Sequence, residues 1–265
     1  MVIGVLGLAG GVGRTTLAKA LAKGLDAPLY ELDVGYPKLW PQEEEREPVS
    51  WRLSRFERQK CDLCGECVKA CQFGSLVEEE GRIRHRSFIC YGCGLCKEVC
   101  PQKAIVLKEV KVGEIVKGRL EGLTVYAGHL LRRAFLDGVV VKKLKEKYPP
   151  SDKAVLKAPY GLHGEALRTV KEAMGLVLVV GPGENLPQEV KLFGEIVQGL
   201  GLPGVVIANR AEGSLGLETL CPTYGLSYAG SVPELPAFEG DLFGAWPEAQ
   251  DLVARITGAI EGGLS

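Results

Sequence analysis

Apolar residues in this chain come in short, largely apolar runs, set apart by longer stretches in which they recur every three or four positions. The runs are "VIGVL" (Val2–Leu6), "PLYELD" ending at Asp33, "LTVYAG" (Leu123–Gly128), "KAVLKAP", "GLVLVVG" and "GVVIANR". A run that is mostly apolar, without regular polar alternation, predicts a strand buried on both faces. The helical periodicity falls over Arg14–Leu25 and over Arg132–Lys147. It returns in stretches opening near His163, Leu186 and Ser214, and near Pro247–Glu261 at the end. Strands alternating with helices predict an α/β fold: a parallel sheet with helices on both faces.

Two segments break the alternation. "PQEEEREP" (Pro41–Pro48) is charged and bounded by prolines, which predicts a linker or surface excursion. A cysteine-rich block follows, most simply a small inserted α+β subdomain. The expected domains are 1–57 and 111–265, together the parallel-sheet unit, with 58–110 inserted between them.

Composition narrows the classes. The chain has 265 residues and a net charge of −1, so no basic excess points to nucleic acid and no polybasic patch to a membrane surface. No apolar run approaches the roughly 20 residues of a membrane span. The apolar start lacks a cationic lead and reads as a first strand, not a signal peptide. A cytoplasmic location is expected.

Of nine cysteines, eight lie between Cys61 and Cys100. They form two runs, "CDLCGECVKAC" (Cys61, Cys64, Cys67, Cys71) and "CYGCGLCKEVCP" (Cys90, Cys93, Cys96, Cys100), offset by 29 residues from Cys61 to Cys90. Both follow C-x2-C-x2-C-x3-C, the spacing of bacterial two-cluster ferredoxins, where the fourth cysteine of each run ligates the other cluster. The expected ligand sets are therefore Cys61, Cys64, Cys67 and Cys100 for one [4Fe–4S] cluster, and Cys90, Cys93, Cys96 and Cys71 for the second. Zinc sites favour isolated C-x2-C pairs, and a disulfide framework conflicts with an unsignalled chain. Two such clusters make an electron relay that needs a redox partner protein. Between the runs, "RIRHR" (Arg82–Arg86) is either a docking site for an acidic partner or, the blander expectation, a solvated hairpin.

The first strand leads into "GLAGGVGRTT" (Gly7–Thr16), which has the order of a phosphate-binding loop: strand, glycines, helix N-terminus. Against G-x-x-x-x-G-K-[ST], Leu8 stands at the first glycine, Gly13 at the second, Arg14 at the lysine and Thr15 at the Mg²⁺-binding hydroxyl. Gly10, Gly11, Gly13, Arg14, Thr15 and Thr16 are the expected ATP or ADP contacts.

Cysteine block and glycine loop together resemble the MinD-type (deviant Walker A) P-loop ATPases that carry an inserted two-cluster ferredoxin domain. These are relatives of the nitrogenase iron protein and of iron–sulfur scaffold ATPases. The resemblance implies Asp33 as the catalytic, water-positioning aspartate and Asn209 as an adenine-side contact. It also implies a nucleotide-dependent homodimer. Three positions depart from the pattern: Ala9 replaces the lysine that reaches across the dimer, Arg14 the P-loop lysine, and Lys157 the metal-linked aspartate; Gly35 also replaces a second aspartate. Phosphoryl transfer rests on such charges. Weak or absent hydrolysis is expected, with Arg14 and Lys157 acting as cations at a metal-poor nucleotide site. ATP-driven electron delivery or cluster assembly is the alternative, and a non-catalytic redox adaptor a further one.

His163 is expected to cap a helix, Cys221 to be a small buried residue, and Arg132, Arg133, Lys142, Lys143, Lys145 and Lys147 to form a wet face. His85 and His129 have no metal-like partners at suitable spacing.

Overall fold

The computed structural model describes residues 1–131, 136–183, 185–235 and 241–264; Arg132 and Arg133 lie outside them. In chain order the elements are β1 (Val2–Leu6), α1 (Arg14–Leu25), β2 (Leu29–Glu31), β3 (Gln42–Phe56), α2 (Glu66–Ala70), β4 (Leu76–Glu79) and β5 (Arg82–His85). There follow α3 (Leu95–Glu98), β6 (Ile105–Leu120), β7 (Leu123–Leu130), α4 (Asp137–Lys147), β8 (Ala154–Lys157), α5 (Gly164–Thr169) and β9 (Gly175–Val180). The chain ends with α6 (Leu186–Leu200), β10 (Gly204–Asn209), α7 (Leu217–Leu220), β11 (Ser227–Val232), α8 (Leu242–Ala245) and α9 (Ala249–Leu264).

Among the described residues, nine strands join in one sheet of order β11-β10-β9-β1-β8-β2-β7-β6-β3. From β11 to β7 every pairing is parallel. Residues along each central strand alternate between two cores. Leu6, Leu156, Leu178 and Val206 meet Val140 of α4, Ala166 of α5 and Phe193 of α6. Val5, Val155, Val177 and Ile207 meet Leu21 of α1, Leu242 of α8 and Ile256 of α9. The apolar runs are buried on both sides, as their lack of alternation predicts. No helix among the described residues is long and apolar enough to cross a membrane.

The insert departs from expectation at its flanks. Pro41–Pro48 is not a linker: from Gln42 onward it is strand, and β3 runs antiparallel to β6 from Gln42↔Arg119 to Phe56↔Ile105. The charges that read as a solvated excursion lie along an exposed edge, where Glu45 pairs with Lys117 at 3.2 Å and Glu47 with Lys147 at 2.5 Å. β3 is the last strand of the sheet, so Pro48 withholds an N–H from a ladder that has no neighbour beyond it, and the charges keep the edge from recruiting another strand. The cysteine block thus sits at the tip of a two-stranded ribbon that continues the main sheet. The short sheet β4-β5 belongs to the block itself.

α4 holds the base of this ribbon. It lies close because Gly113 on β6 and Gly128 on β7 leave room for Val140. A Cβ on Gly113 would stand 2.6 Å from Val140 Cγ2, and one on Gly128 would stand 2.7 Å from Val34 Cγ1 and 2.9 Å from Val140 Cγ1. We expect Gly128→Val to overpack this contact and cost about 1–3 kcal/mol, read as a lower urea midpoint with unchanged slope.

Candidate metal centre and nucleotide site

The internal repeat in the cysteine block is also a repeat of backbone shape. Left-handed residues recur at the same offset: Leu63 (φ 66°) with Gly92 (69°), Gly65 (75°) with Gly94 (86°), and Gly74 (64°) with Lys103 (51°). Gly65 and Gly94 open the short helices α2 and α3. The reversals turn main-chain N–H groups towards sulfur. Leu63 N–H donates to Cys61 Sγ at 3.4 Å, and Gly92 N–H donates to Cys90 Sγ at 3.4 Å. Ser75 and Ala104 do the same for Cys71 (3.2 Å) and Cys100 (3.3 Å). The halves are strapped together reciprocally: Glu57 N–H donates to Ala104 O, and Arg86 N–H to Ser75 O, each at 2.7 Å.

The thiols gather into the two crossed sets. Burial pushes the Cys67 thiol up, and its neighbours Cys100, Cys61 and Cys64 push it further. Cys96 is pushed up to about 11 by burial and by Cys90, Cys71 and Cys93. The fourth thiol of each half therefore stands with the first three of the other. Among the described residues no three His, Cys, Asp or Glu side chains are set to hold a single metal ion; in a cubane each thiolate meets its own iron. Soft sulfur donors, crossed quartets and inward-facing N–H groups suit a cluster whose core carries negative charge.

Cys90 has a further environment. Burial would push its thiol up, but the polar neighbours His85 and Ser54 and the Gly92 N–H outweigh it and hold it down to about 6. Gly92 packs so tightly on β3 that a Cβ would occupy the Arg52 carbonyl oxygen, and Trp51 Nε1 donates to Tyr91 O at 3.0 Å. Nothing in the sequence marks Ser54, and His85 has no metal-like partner there; a ribbon strand and a hairpin bring both to the Cys90 side. The hairpin is the blander of the two expectations for Arg82–Arg86: Arg84 and Arg86 both pair with Glu79.

The glycine loop stands where the pattern predicts, between β1 and α1. Gly11 (φ 80°) and Gly13 (φ 100°) are left-handed, and a Cβ on Gly10 or Gly11 would meet open space. Asn209, at the end of β10, donates from Nδ2 to Val12 O at 2.8 Å, clamping the loop. Beside it, Gly13, Thr16, Asn209, Arg210, Val232 and Glu234 line a cavity of about 370 Å³. On the far side, Asp33, Tyr36, Asp137, Tyr160 and Lys142 border a second cavity of about 670 Å³.

Arg14 is buried and its Nη1 donates to Ala158 O at 2.7 Å. Burial lowers its pKa, while Asp33 and Glu31 raise it.

Lys157 requires a correction. It is not a free cation beside the phosphates: its Nζ lies 2.7 and 2.9 Å from the two Glu31 oxygens, and both side chains are buried. β2 and β8 place Glu31 and Lys157 directly in register. Glu31 also accepts from the N–H groups of Asp33, Lys38 and Leu39, yet burial pushes its carboxyl up against these pulls. A buried ammonium demands a partner, and Glu31, overlooked in the sequence, is that partner.

The remaining assignments are structural. His163 caps α5, accepting from Ala166 N–H. Cys221 is fully buried, which pushes its thiol up to about 11. His129 packs edge-on against Trp40.

Residues 60–105 match the family of 4Fe–4S dicluster domains. Within this region the chain is 40% identical over 57 residues to indolepyruvate oxidoreductase subunit IorA of Methanothermobacter marburgensis, covering 22% of this chain and 9% of that subunit. It is 34% identical over 62 residues to pyruvate synthase subunit PorD of Thermotoga maritima, covering 22% of this chain and 63% of that subunit. For PorD of Methanothermobacter marburgensis the figures are 36% over 64 residues, 23% and 75%. The chain thus spans less than a tenth of the IorA subunits and most of PorD. The whole chain is similar in fold to the septum site-determining protein MinD of Pyrococcus horikoshii complexed with Mg-ADP, at 14% identity and TM-score 0.50, covering 98% of this chain and 95% of that one. A chain of the MinC:MinD cell division protein complex of Aquifex aeolicus gives 18% and 0.50, covering 97% and 96%. The fold is a MinD-like, mostly parallel sheet with a dicluster ferredoxin domain inserted.

We expect Lys157→Met to strand a buried carboxylate and cost about 3–5 kcal/mol. The double variant Glu31→Leu/Lys157→Met should recover most of it, both measured by urea denaturation.

Proposed function

Because residues 60–105 of this chain belong to the 4Fe–4S dicluster family, we propose that it is an electron-transfer protein carrying two [4Fe–4S] clusters on a MinD-like scaffold. The observation that carries this is the crossing of the quartets: Cys71 lines one small pocket together with Cys90, Cys93 and Cys96, and Cys100 stands with Cys61 and Cys64 beside Cys67. One cluster is held by Cys61, Cys64, Cys67 and Cys100, the other by Cys71, Cys90, Cys93 and Cys96. When bound, the clusters supply one-electron exchange. The protein's own part is to fix the ligands, direct N–H groups at their sulfurs and exclude water from the buried side of each set. Cys64 and Cys93 stay exposed, which gives each set a side open to a redox partner protein. Residues 58–110 form the electron-carrying unit, and 1–57 with 111–265 the scaffold. The relatives named as subunits of oxidoreductases support a partner of that kind.

The scaffold binds a nucleotide without turning it over. The left-handed glycines Gly11 and Gly13, with Gly10, Thr15 and Thr16, form the loop, and the cavity beside Asn209 takes the base. Asp33 stands at the family's water-positioning place. Lys157 is neutralised by Glu31 and Ala9 carries no charge, so too few cations remain to stabilise a transferring phosphoryl group.

Anaerobically purified protein should hold about eight iron and eight sulfide per chain. Cys71→Ala and Cys100→Ala should each lose roughly half of that iron, because each removes a ligand from one cluster. Zinc in place of iron would refute the assignment.

ATP binding measured by calorimetry should weaken in Asn209→Ala, with no phosphate release above the protein-free rate. Unchanged affinity in Asn209→Ala or steady turnover would overturn the nucleotide reading.

A further inference from the structure

The two halves of the cysteine block are related by the same 29-residue offset in ligands, left-handed turns, sulfur-directed N–H groups and reciprocal straps. Such symmetry would make two clusters equivalent. Among the described side-chain contacts to ligand sulfur, it fails at Cys90.

Ser54 is buried, and its Oγ lies 3.1 Å from Cys90 Sγ and 2.9 Å from His85 Nε2. Shifting by 29 residues places Ile83 where Ser54 stands and Phe56 where His85 stands. Ile83 and Phe56 do occupy that place, packed with Cys61 in a small apolar core. The Cys90 half therefore has a hydroxyl and an imidazole where the Cys61 half has two hydrocarbon side chains. Ser54 lies outside residues 60–105, on the ribbon strand β3, so the scaffold supplies the difference.

Chemistry sets the direction of the hydrogen bonds. A thiolate ligated to iron carries no proton, so the single hydroxyl hydrogen of Ser54 is the donor to Sγ. Ser54 Oγ then accepts from His85, which places a proton on Nε2. The chain runs His85 Nε2–H to Ser54 Oγ–H to Cys90 Sγ. A donor to a ligand sulfur stabilises the state with more negative charge, which for an iron–sulfur cluster is the reduced one.

We propose that Ser54, polarised by His85, makes the cluster site of Cys71, Cys90, Cys93 and Cys96 the higher-potential of the two. A single electron entering the chain then settles there, against the scaffold, and not at the Cys61 set. The inference rests on the two-cluster reading above, and Ser54 acts as a tuning residue, not as a ligand.

The test is a mediated potentiometric titration of the full-length protein, purified anaerobically and followed by electron paramagnetic resonance. Wild type should show two separate one-electron waves. In Ser54→Ala the higher wave should move down and the lower stay in place. At the wild-type midpoint of the higher wave, the reduced-to-oxidised ratio should fall roughly tenfold, which is 59 mV for one electron. Ser54→Thr keeps the hydroxyl and should restore the ratio to within about twofold of wild type. His85→Phe, which installs the residue found in the other half, should give a smaller fall of the same sign and serves if Ser54→Ala does not fold. Coincident waves in wild type, or waves that stay put or move together in Ser54→Ala, would overturn the inference. Protein lacking iron and sulfide would instead overturn the two-cluster reading itself.

Discussion

The antiparallel pairing of β3 with β6 is the constraint on which the rest of the molecule depends. An insert joined by two loose linkers would move freely on its host. Here both connections are strands of one ladder, paired from Gln42↔Arg119 to Phe56↔Ile105, and β6 continues into the main sheet through β7. The cysteine block is thus anchored to the parallel core through main-chain hydrogen bonds. Few geometries let an edge ribbon project from a sheet without inviting aggregation. This one uses Pro48, a charged outer face and a close-packed α4 to do so.

That anchoring makes the scaffold part of the cluster environment. Trp51, Arg52 and Ser54 are all on β3, and they meet Tyr91, Gly92 and Cys90 respectively. The first cysteine half meets the ribbon through hydrocarbon instead: Phe56 of β3 and Ile105 of β6 lie in one apolar core with Ile83 and Cys61. Two halves that share a repeat become physically distinct because the ribbon offers a hydroxyl to one and apolar side chains to the other.

In the glycine loop, backbone shape and side-chain charge are set separately. Loop shape depends on Gly11, Gly13 and the clamp from Asn209. The charges depend on single side chains, and these find their partners within the protein. Arg14 reaches a backbone carbonyl, and Lys157 is consumed by Glu31. A buried ion pair adds little stability over an apolar pair of the same size, but it cannot lose one member cheaply. The pair therefore locks Lys157 away from any phosphate.

Several features were legible in the chain by itself, for local reasons. Short apolar runs rich in β-branched residues and bounded by turn residues read as strands sealed on both faces. Two C-x2-C-x2-C-x3-C runs prescribe their own cluster chemistry, and glycines after a strand prescribe a left-handed loop. Contacts between residues distant in sequence were not legible. The charged Pro41–Pro48 segment looks like solvent-exposed linker, because edge strands and linkers share the same polar surface. Glu31 is unremarkable in "PLYELD" until strand register sets it opposite Lys157. Ser54 acquires meaning only when the ribbon lays it on Cys90. Local spacing determines which groups are available, whereas pairing across the sheet decides which of them meet, since hydrogen-bonded register and burial act on residues far apart in sequence.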